Sequence, residues 1–253
     1  MGRVVIATTT WYRSPDEVRA KEAFKTVRSA TSSSLPIVVV DGSPSMEVKA
    51  RLIDLRAVLL AEEKGTMGLS RRQAIREAVR LAGEDGVVVW MEPEKNPLVS
   101  FIHQMVQPIL DGQYEIVVPR RRDCLASYPE FQMHAELYGN DGFRLLTGKA
   151  LDVWFGPRAF STEAAKYFLA YDGKSLDGSK YYGDRWDSIF IPLVRAITEG
   201  QRVGEVVVDY IHPQEQTAAE EGFTDYKKRM LQLTSLIEAV ECEVQLLRER
   251  VTS

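Results

Sequence analysis

Five apolar runs, at residues 4–9, 36–40, 87–91, 115–118 and 203–210, are separated by helical patterns, and this alternation constrains the fold more than any other feature. Residues 87–91 read Val-Val-Val-Trp-Met without a polar interruption. Such a run suits a strand buried on both faces, which is how strands lie in a parallel sheet. Parallel strands need a long crossover between them, and a helix supplies it. The expected fold class is therefore α/β, a mainly parallel sheet flanked by helices.

The helical patterns are specific. Ser14 can cap a first helix with Pro15 at its first position, and Ala20, Ala23, Phe24 and Val27 line one face. After the Asp41-Gly42-Ser43-Pro44 turn, a second helix places Val48, Leu52, Leu55 and Leu59 on one side. A third, around residues 69–81, aligns Ala74, Ala78 and Leu81, and a fourth covers residues 97–110. The second half is less regular. A helix is expected at 128–146, an irregular connection at 151–160 and a short helix from 161. Residues 171–182, with Gly173 and Gly178, read as a mobile loop. Residues 187–200 form an amphipathic helix with Phe190, Leu193, Val194 and Ile197 inward.

The tail differs in kind. Met230, Leu233, Ile237, Val240, Val244 and Leu247 alternate spacings of three and four, the seam of a coiled coil. Two readings stand: a homodimerisation helix, or a helix laid back on its own domain. The expected organisation is one domain at 1–222, in two halves at about 1–119 and 120–222, followed by an amphipathic helix at 223–253.

Composition excludes some classes. A net charge of −4 gives no nucleic-acid surface. No apolar run approaches the roughly 20 residues that a membrane span needs. The first residues run straight into a strand without a signal-peptide pattern, and Cys124 and Cys242 lie far apart. A reduced, cytoplasmic compartment is the expectation.

Several residues carry chemistry at strand ends, where α/β sheets bind ligands. Glu92 and Glu94 close the third long run as Glu-Pro-Glu, two hard oxygen donors suited to a divalent metal and hence to a diphosphate. An acidic, solvated loop is the plainer reading. Asp41 follows the second run and can cap a turn or meet a nucleotide. Lys64-Gly65-Thr66-Met67-Gly68 precedes a helix carrying Arg71 and Arg72. Glycines there let backbone approach an anion, although the spacing is neither a Walker nor a Rossmann motif. His212 lies just past the last strand, and neutral imidazole is a good metal ligand. Asp184 and Asp187 open the helix before that strand, where capping explains one of them. Arg120, Arg121 and Arg122 form either a solvated patch or an anion site.

In this order the parts resemble the GT-A fold of nucleotide-sugar glycosyltransferases. The stretch from Gly183-Asp184-Arg185-Trp186-Asp187 through His212 is similar to the retaining mannosylglycerate synthase group. The resemblance covers roughly residues 3–215. It implies transfer of a sugar from a GDP- or UDP-linked donor to a small or polar acceptor hydroxyl, assisted by Mn²⁺ or Mg²⁺ and with retention. Glu92 and Glu94 stand where the family has Asp-x-Asp, with Glu94 and His212 as metal ligands and Glu92 toward the ribose. Thr8, Thr9, Asp41, Lys64, Gly65, Gly68, Arg71 and Arg72 would hold the donor. Arg120, Arg121, Asp184 and Asp187 would face the acceptor, with Asp187 and Glu94 as catalytic residues. The departure is Glu-Pro-Glu, whose side chains are one methylene longer and whose Pro93 fixes the local backbone. Two alternatives are a sugar-phosphate nucleotidyltransferase and a non-catalytic scaffold of this fold. The first usually carries Gly-x-Gly-Thr-Arg after its first strand, where this chain has Thr8-Thr9-Thr10-Trp11-Tyr12-Arg13.

Overall fold

The computed structural model describes residues 3–123, 130–219 and 223–252. Cys124, the first two residues of the helix expected from 128, and the expected domain boundary at 222 lie outside them. Seven strands form one sheet: β1 (Val4–Thr10), β2 (Ile37–Asp41), β3 (Val58–Ala61), β4 (Val87–Trp90), β5 (Ile116–Arg121), β6 (Arg158–Ser161) and β7 (Val203–Val208). Their order is β3-β2-β1-β4-β6-β5-β7. Only β6 runs antiparallel, against β4 and β5. The chain winds outward from β1 to β3 and then crosses to β4 on the other side of β1. The carboxyl ends of β1 and β4 therefore flank the point where the winding reverses, and a crevice opens there.

Alternation along the strands sends side chains to opposite faces. Val5, Ala7, Val38, Val40, Val88 and Trp90 pack under α3 (Met67–Ala82), α5 (Glu130–Thr147), α6 (Ala165–Ala170), α7 (Asp187–Thr198) and α9 (Phe223–Thr252). Ile6, Ile37, Val39, Val87 and Val89 pack under α1 (Val18–Ser32), α2 (Met46–Asp54) and α4 (Ile102–Leu110). The short α8 (Gln214–Ala219) follows β7. Among the described residues no helix is long and apolar enough to cross a membrane.

Four local expectations are corrected. The first helix begins at Val18, not Pro15: Ser14 closes a turn, and Glu17 Oε1 accepts from the Arg13 and Ser14 amides instead. Leu59 does not continue the second helix. Arg56 adopts a left-handed φ of 64° that stops α2, and Leu59 enters edge strand β3. The connection expected at 151–160 contains the antiparallel strand β6, whose Arg158 breaks the apolar pattern. Residues 171–182 are a closed hairpin, bridged at Lys174 and Tyr181 and pinned by Asp177.

The tail folds back. Leu236, Val240, Val244 and Leu247 are buried as α9 packs along α5 and α7. Of the six seam residues, Val240, Val244 and Leu247 are buried, Leu233 and Ile237 are half-buried and Met230 is exposed, so the chain's own domain covers the C-terminal part of the stripe. Glu243, fully buried on that face, accepts from Arg195 Nε at 2.6 Å and from Tyr182 Oη at 3.2 Å. A buried charge of this kind is tolerable only when paired, and the pairing fixes where α9 lies.

Candidate active site

The crevice at the β1 and β4 ends holds two cavities. One, of about 390 Å³, runs over Thr9 to Tyr12 toward Glu62 and the start of α3. The other, of about 260 Å³, is walled by Trp154, Phe155, Trp186, Phe190 and His212. Arg19, Met67, Arg71, Glu92 and Glu94 line both, so the paired acids stand where the two meet.

The acids are placed by backbone. The Met91 amide donates to the Ala7 carbonyl at 3.2 Å, extending the β1–β4 pairing past the strand. The Lys95 amide then donates to the Glu92 carbonyl at 3.2 Å and closes a turn around Pro93. Proline suits the first corner of such a turn because its φ is already set. Glu94 Oε1 accepts from Tyr12 Oη at 2.8 Å and pairs with Arg19 at 2.7 Å. Burial, with the Glu94 charge beside it, holds the Tyr12 hydroxyl well above its ordinary pKa, so it stays a donor. Glu92 Oε2 is buried without a hydrogen bond. The other oxygen of Glu92 lies against Gly156, whose φ of 103° and missing Cβ leave room for it.

Beneath the acids lie two arginines. Arg71 donates to the Arg185 carbonyl at 2.7 Å and Ser188 Oγ at 2.9 Å, and sits over the Trp90 ring. Arg158 on β6 is fully buried, and burial pulls its pKa down to about 9 against the attraction of Glu92. Arg158 was invisible in the sequence because it sits in the stretch read as irregular.

His212 bonds Tyr210 Oη through Nδ1 at 3.2 Å. Burial, and the charges of Lys95, Arg229 and Arg121, lower its pKa to about 3, so the imidazole is neutral. Glu92 and Glu94 stand at the junction and His212 lines the smaller cavity beside it; hard oxygens and a neutral imidazole are donor types that suit Mn²⁺ or Mg²⁺. Both contacts of Glu94 fall on Oε1, and Glu92 has an oxygen without a partner. Among the described residues, no group of three or more His, Cys, Asp or Glu side chains is placed together to hold a metal ion.

Other expected residues divide. Thr9 and Gly65 line the larger cavity. Asp41 accepts from Thr10 and Ser43 on Oδ1, while its Oδ2 and Thr8 Oγ1 are buried without partners. Lys64 is exposed beside Gly65. Arg72 lines neither cavity but grips Asp184, and Gly68 leaves the space that Asp184 fills. Asp187 accepts from Tyr171 Oη and the Arg185 amide, holding the start of α7, while its neighbours Trp186 and Ile189 face the smaller cavity. Arg121 is buried between Glu136 and Asp152, behind the smaller cavity. Arg120 pairs with Glu205, and Arg120, Arg121, Arg122 and Arg144 line a separate cavity. The sequence reading missed Tyr12, Arg19, Lys95 and Arg229. Only Tyr12 and Lys95 carried a signal, since each adjoins a strand end or the paired acids.

The fold has close counterparts. Glucosyl-3-phosphoglycerate synthase of Mycobacterium tuberculosis superposes with a TM-score of 0.60 at 14% identity, covering 95% of this chain and 81% of that one. The same enzyme in complex with Mn²⁺, UDP and glucosyl-3-phosphoglycerate gives 0.61 at 13% identity, over 95% and 80%. A mycobacterial protein of no stated activity gives 0.65 at 14%, over 95% and 75%. This chain has a GT-A fold. The fold-level part of the resemblance is therefore borne out, while the mannosylglycerate group is not represented among these structures. No protein-family model matches the chain, and no curated protein matches it.

Proposed function

We propose that this chain is a metal-assisted glycosyltransferase that moves a sugar from a nucleotide donor, UDP-linked or GDP-linked, to a hydroxyl acceptor. The observation that carries this reading is the junction of two cavities at Glu92 and Glu94. A donor laid in the larger cavity would put its base near Trp11 and Thr10, whose hydroxyl is held from behind by Asp41. Its diphosphate would reach the N-terminal turn of α3, where Thr66, Ser70 and Arg71 line the wall and the helix end favours negative charge. Exposed Lys64 stands at the edge of that path.

Glu94, Glu92 and His212 would hold the divalent cation, which supplies countercharge to the departing diphosphate. Arg71 adds fixed positive charge from below, in a site where such preorganised charge acts most strongly on the transition state. Asp187 and Asp184 act through structure, the first holding α7 and the second the start of α3. The smaller cavity would take the acceptor. Its lining includes Arg71, Lys95, Lys228 and Arg229, which favours an acceptor carrying negative charge next to its hydroxyl. The M. tuberculosis synthase is seen with phosphoglyceric acid beside UDP-glucose, an acceptor of that kind. Among the described residues, the carboxylates lining the smaller cavity are Glu92, Glu94 and Glu136, and the last two are paired with Arg19 and Arg121. We therefore favour retention, with the departing phosphate taking the acceptor proton on the same face.

Calorimetry with UDP and GDP, each with and without Mn²⁺, tests the reading. Nucleotide binding that Mn²⁺ tightens and Glu94→Gln abolishes is the expected result. Absence of binding by either nucleotide at millimolar concentration overturns it.

A further inference from the structure

Arg19 occupies a place that its own helix does not favour. It lies in the first turn of α1, where the helix end carries partial positive charge and a cation is unfavourable. No acidic side chain in that turn compensates for it. Glu94 pairs with it at 2.7 Å. The two partners are unequal. The Glu94 side chain is 5% exposed, and that of Arg19 is 55% exposed. Glu94 is fixed, with Tyr12 as a second donor on the same oxygen, while Arg19 is long and open to solvent on one side. Arg19 also lines both cavities, so a rotation of its side chain keeps it within the site.

From this geometry we infer that Arg19 is a displaceable counter-ion: it neutralises Glu94 in the empty protein, competes with the divalent cation for that carboxylate, and on release turns its charge toward the donor diphosphate. This rests on the metal-assisted reading above, and it assigns a positioning role to a residue outside the paired-acid and histidine set. The physical argument is one of charge. A buried carboxylate needs a cationic or hydrogen-bonding partner at all times. A divalent ion outcompetes one guanidinium for it, especially a guanidinium half in solvent. A guanidinium freed there meets phosphate oxygens, which match its planar fork.

Two measurements on the full chain decide the matter. In the first, free Mn²⁺ is followed by electron paramagnetic resonance during titration of the wild type, Arg19→Gln, Arg19→Lys and Glu94→Gln, without nucleotide. Removing the competing cation should tighten Mn²⁺ binding by about tenfold in Arg19→Gln. Arg19→Lys should stay near the wild type, and Glu94→Gln should lose binding. In the second, UDP is titrated in saturating Mn²⁺, and Arg19→Gln should bind it several-fold more weakly than the wild type. Equal Mn²⁺ affinity in the wild type and Arg19→Gln overturns the inference while leaving the metal site intact. Unchanged Mn²⁺ binding in Glu94→Gln overturns the ligand assignment itself. Binding of Mn²⁺ by none of the four overturns both. Circular dichroism melting of each variant separates these results from loss of fold.

Discussion

Arg72 holds Asp184 with both terminal nitrogens, at 2.6 and 2.8 Å, and so ties the second turn of α3 to the segment that leads into α7. Asp184 also accepts from Thr66 Oγ1, the N-cap of α3, and its carbonyl accepts from the Gly68 amide at 2.8 Å. One carboxylate thereby sets the distance between the two elements that wall the crevice.

Breaking that pair should be costly. Arg72→Ala leaves a buried carboxylate without its partner, and about 3–5 kcal/mol of stability should be lost. Burial alone would raise the Asp184 pKa, but the Arg72 and Thr66 hydrogen bonds outweigh it and hold the carboxylate below its ordinary value. A depressed folded pKa gives stability above the unfolded carboxylate range that disappears as pH falls through it. Urea unfolding at pH 7 and below pH 4 should show Arg72→Ala converging on the wild type at the lower pH.

His212 predicts a second pH effect. Its folded pKa is about 3 against an ordinary 6.5, so between these values the unfolded chain holds a proton that the folded chain lacks. Stability should therefore fall as pH drops from 6.5, by up to about 1.4 kcal/mol per pH unit from this residue. His212→Gln should flatten that part of the profile. An unchanged slope would show that His212 titrates normally in the fold.

Gly156 should resist substitution for two reasons. Its φ of 103° strains any L side chain, and a Cβ there would run into the Glu92 carboxylate. Gly156→Ala should lower stability by about 1–3 kcal/mol and weaken nucleotide binding in the presence of Mn²⁺. Gly178→Ala is the control, with φ 75° and open space around it. It should show the stability loss without the binding loss.

The docked tail gives the fourth prediction. Val240 is fully buried in the core shared by α5, α7 and α9. Val240→Asp should cost several kcal/mol through an unpaired buried charge, read as a large fall in melting temperature. Removal of residues 229–253 should expose Phe190-side core and cause aggregation. A truncated chain that stays folded and soluble would restore the seam to a partner chain.

How much of this was legible in the sequence depends on the range of the interaction. Both-faces-buried strands are written in unbroken apolar runs, so residues 87–91 and 36–40 announced β4 and β2, and the parallel sheet with them. Glu92, Glu94, Asp41 and His212 could be picked out because strand ends are where such folds bind ligands. Short or mixed elements carried no comparable signal. The edge strand β3 is only half-buried, and β6 holds a buried arginine. The tail's three-and-four spacing fixed an apolar face but not what covers it, because α5, α7 and a second chain would satisfy the same stripe. Likewise, nothing local distinguishes Arg71 from Arg72, yet one faces the crevice and the other is bound to Asp184, 112 positions away. The sequence by itself determined the strands, the helix faces and the strand-end acids, which follow from periodicity over a few residues. Tertiary structure alone decided which charges meet, since Arg19 with Glu94 and Arg195 with Glu243 are pairs made by packing between elements distant in the chain.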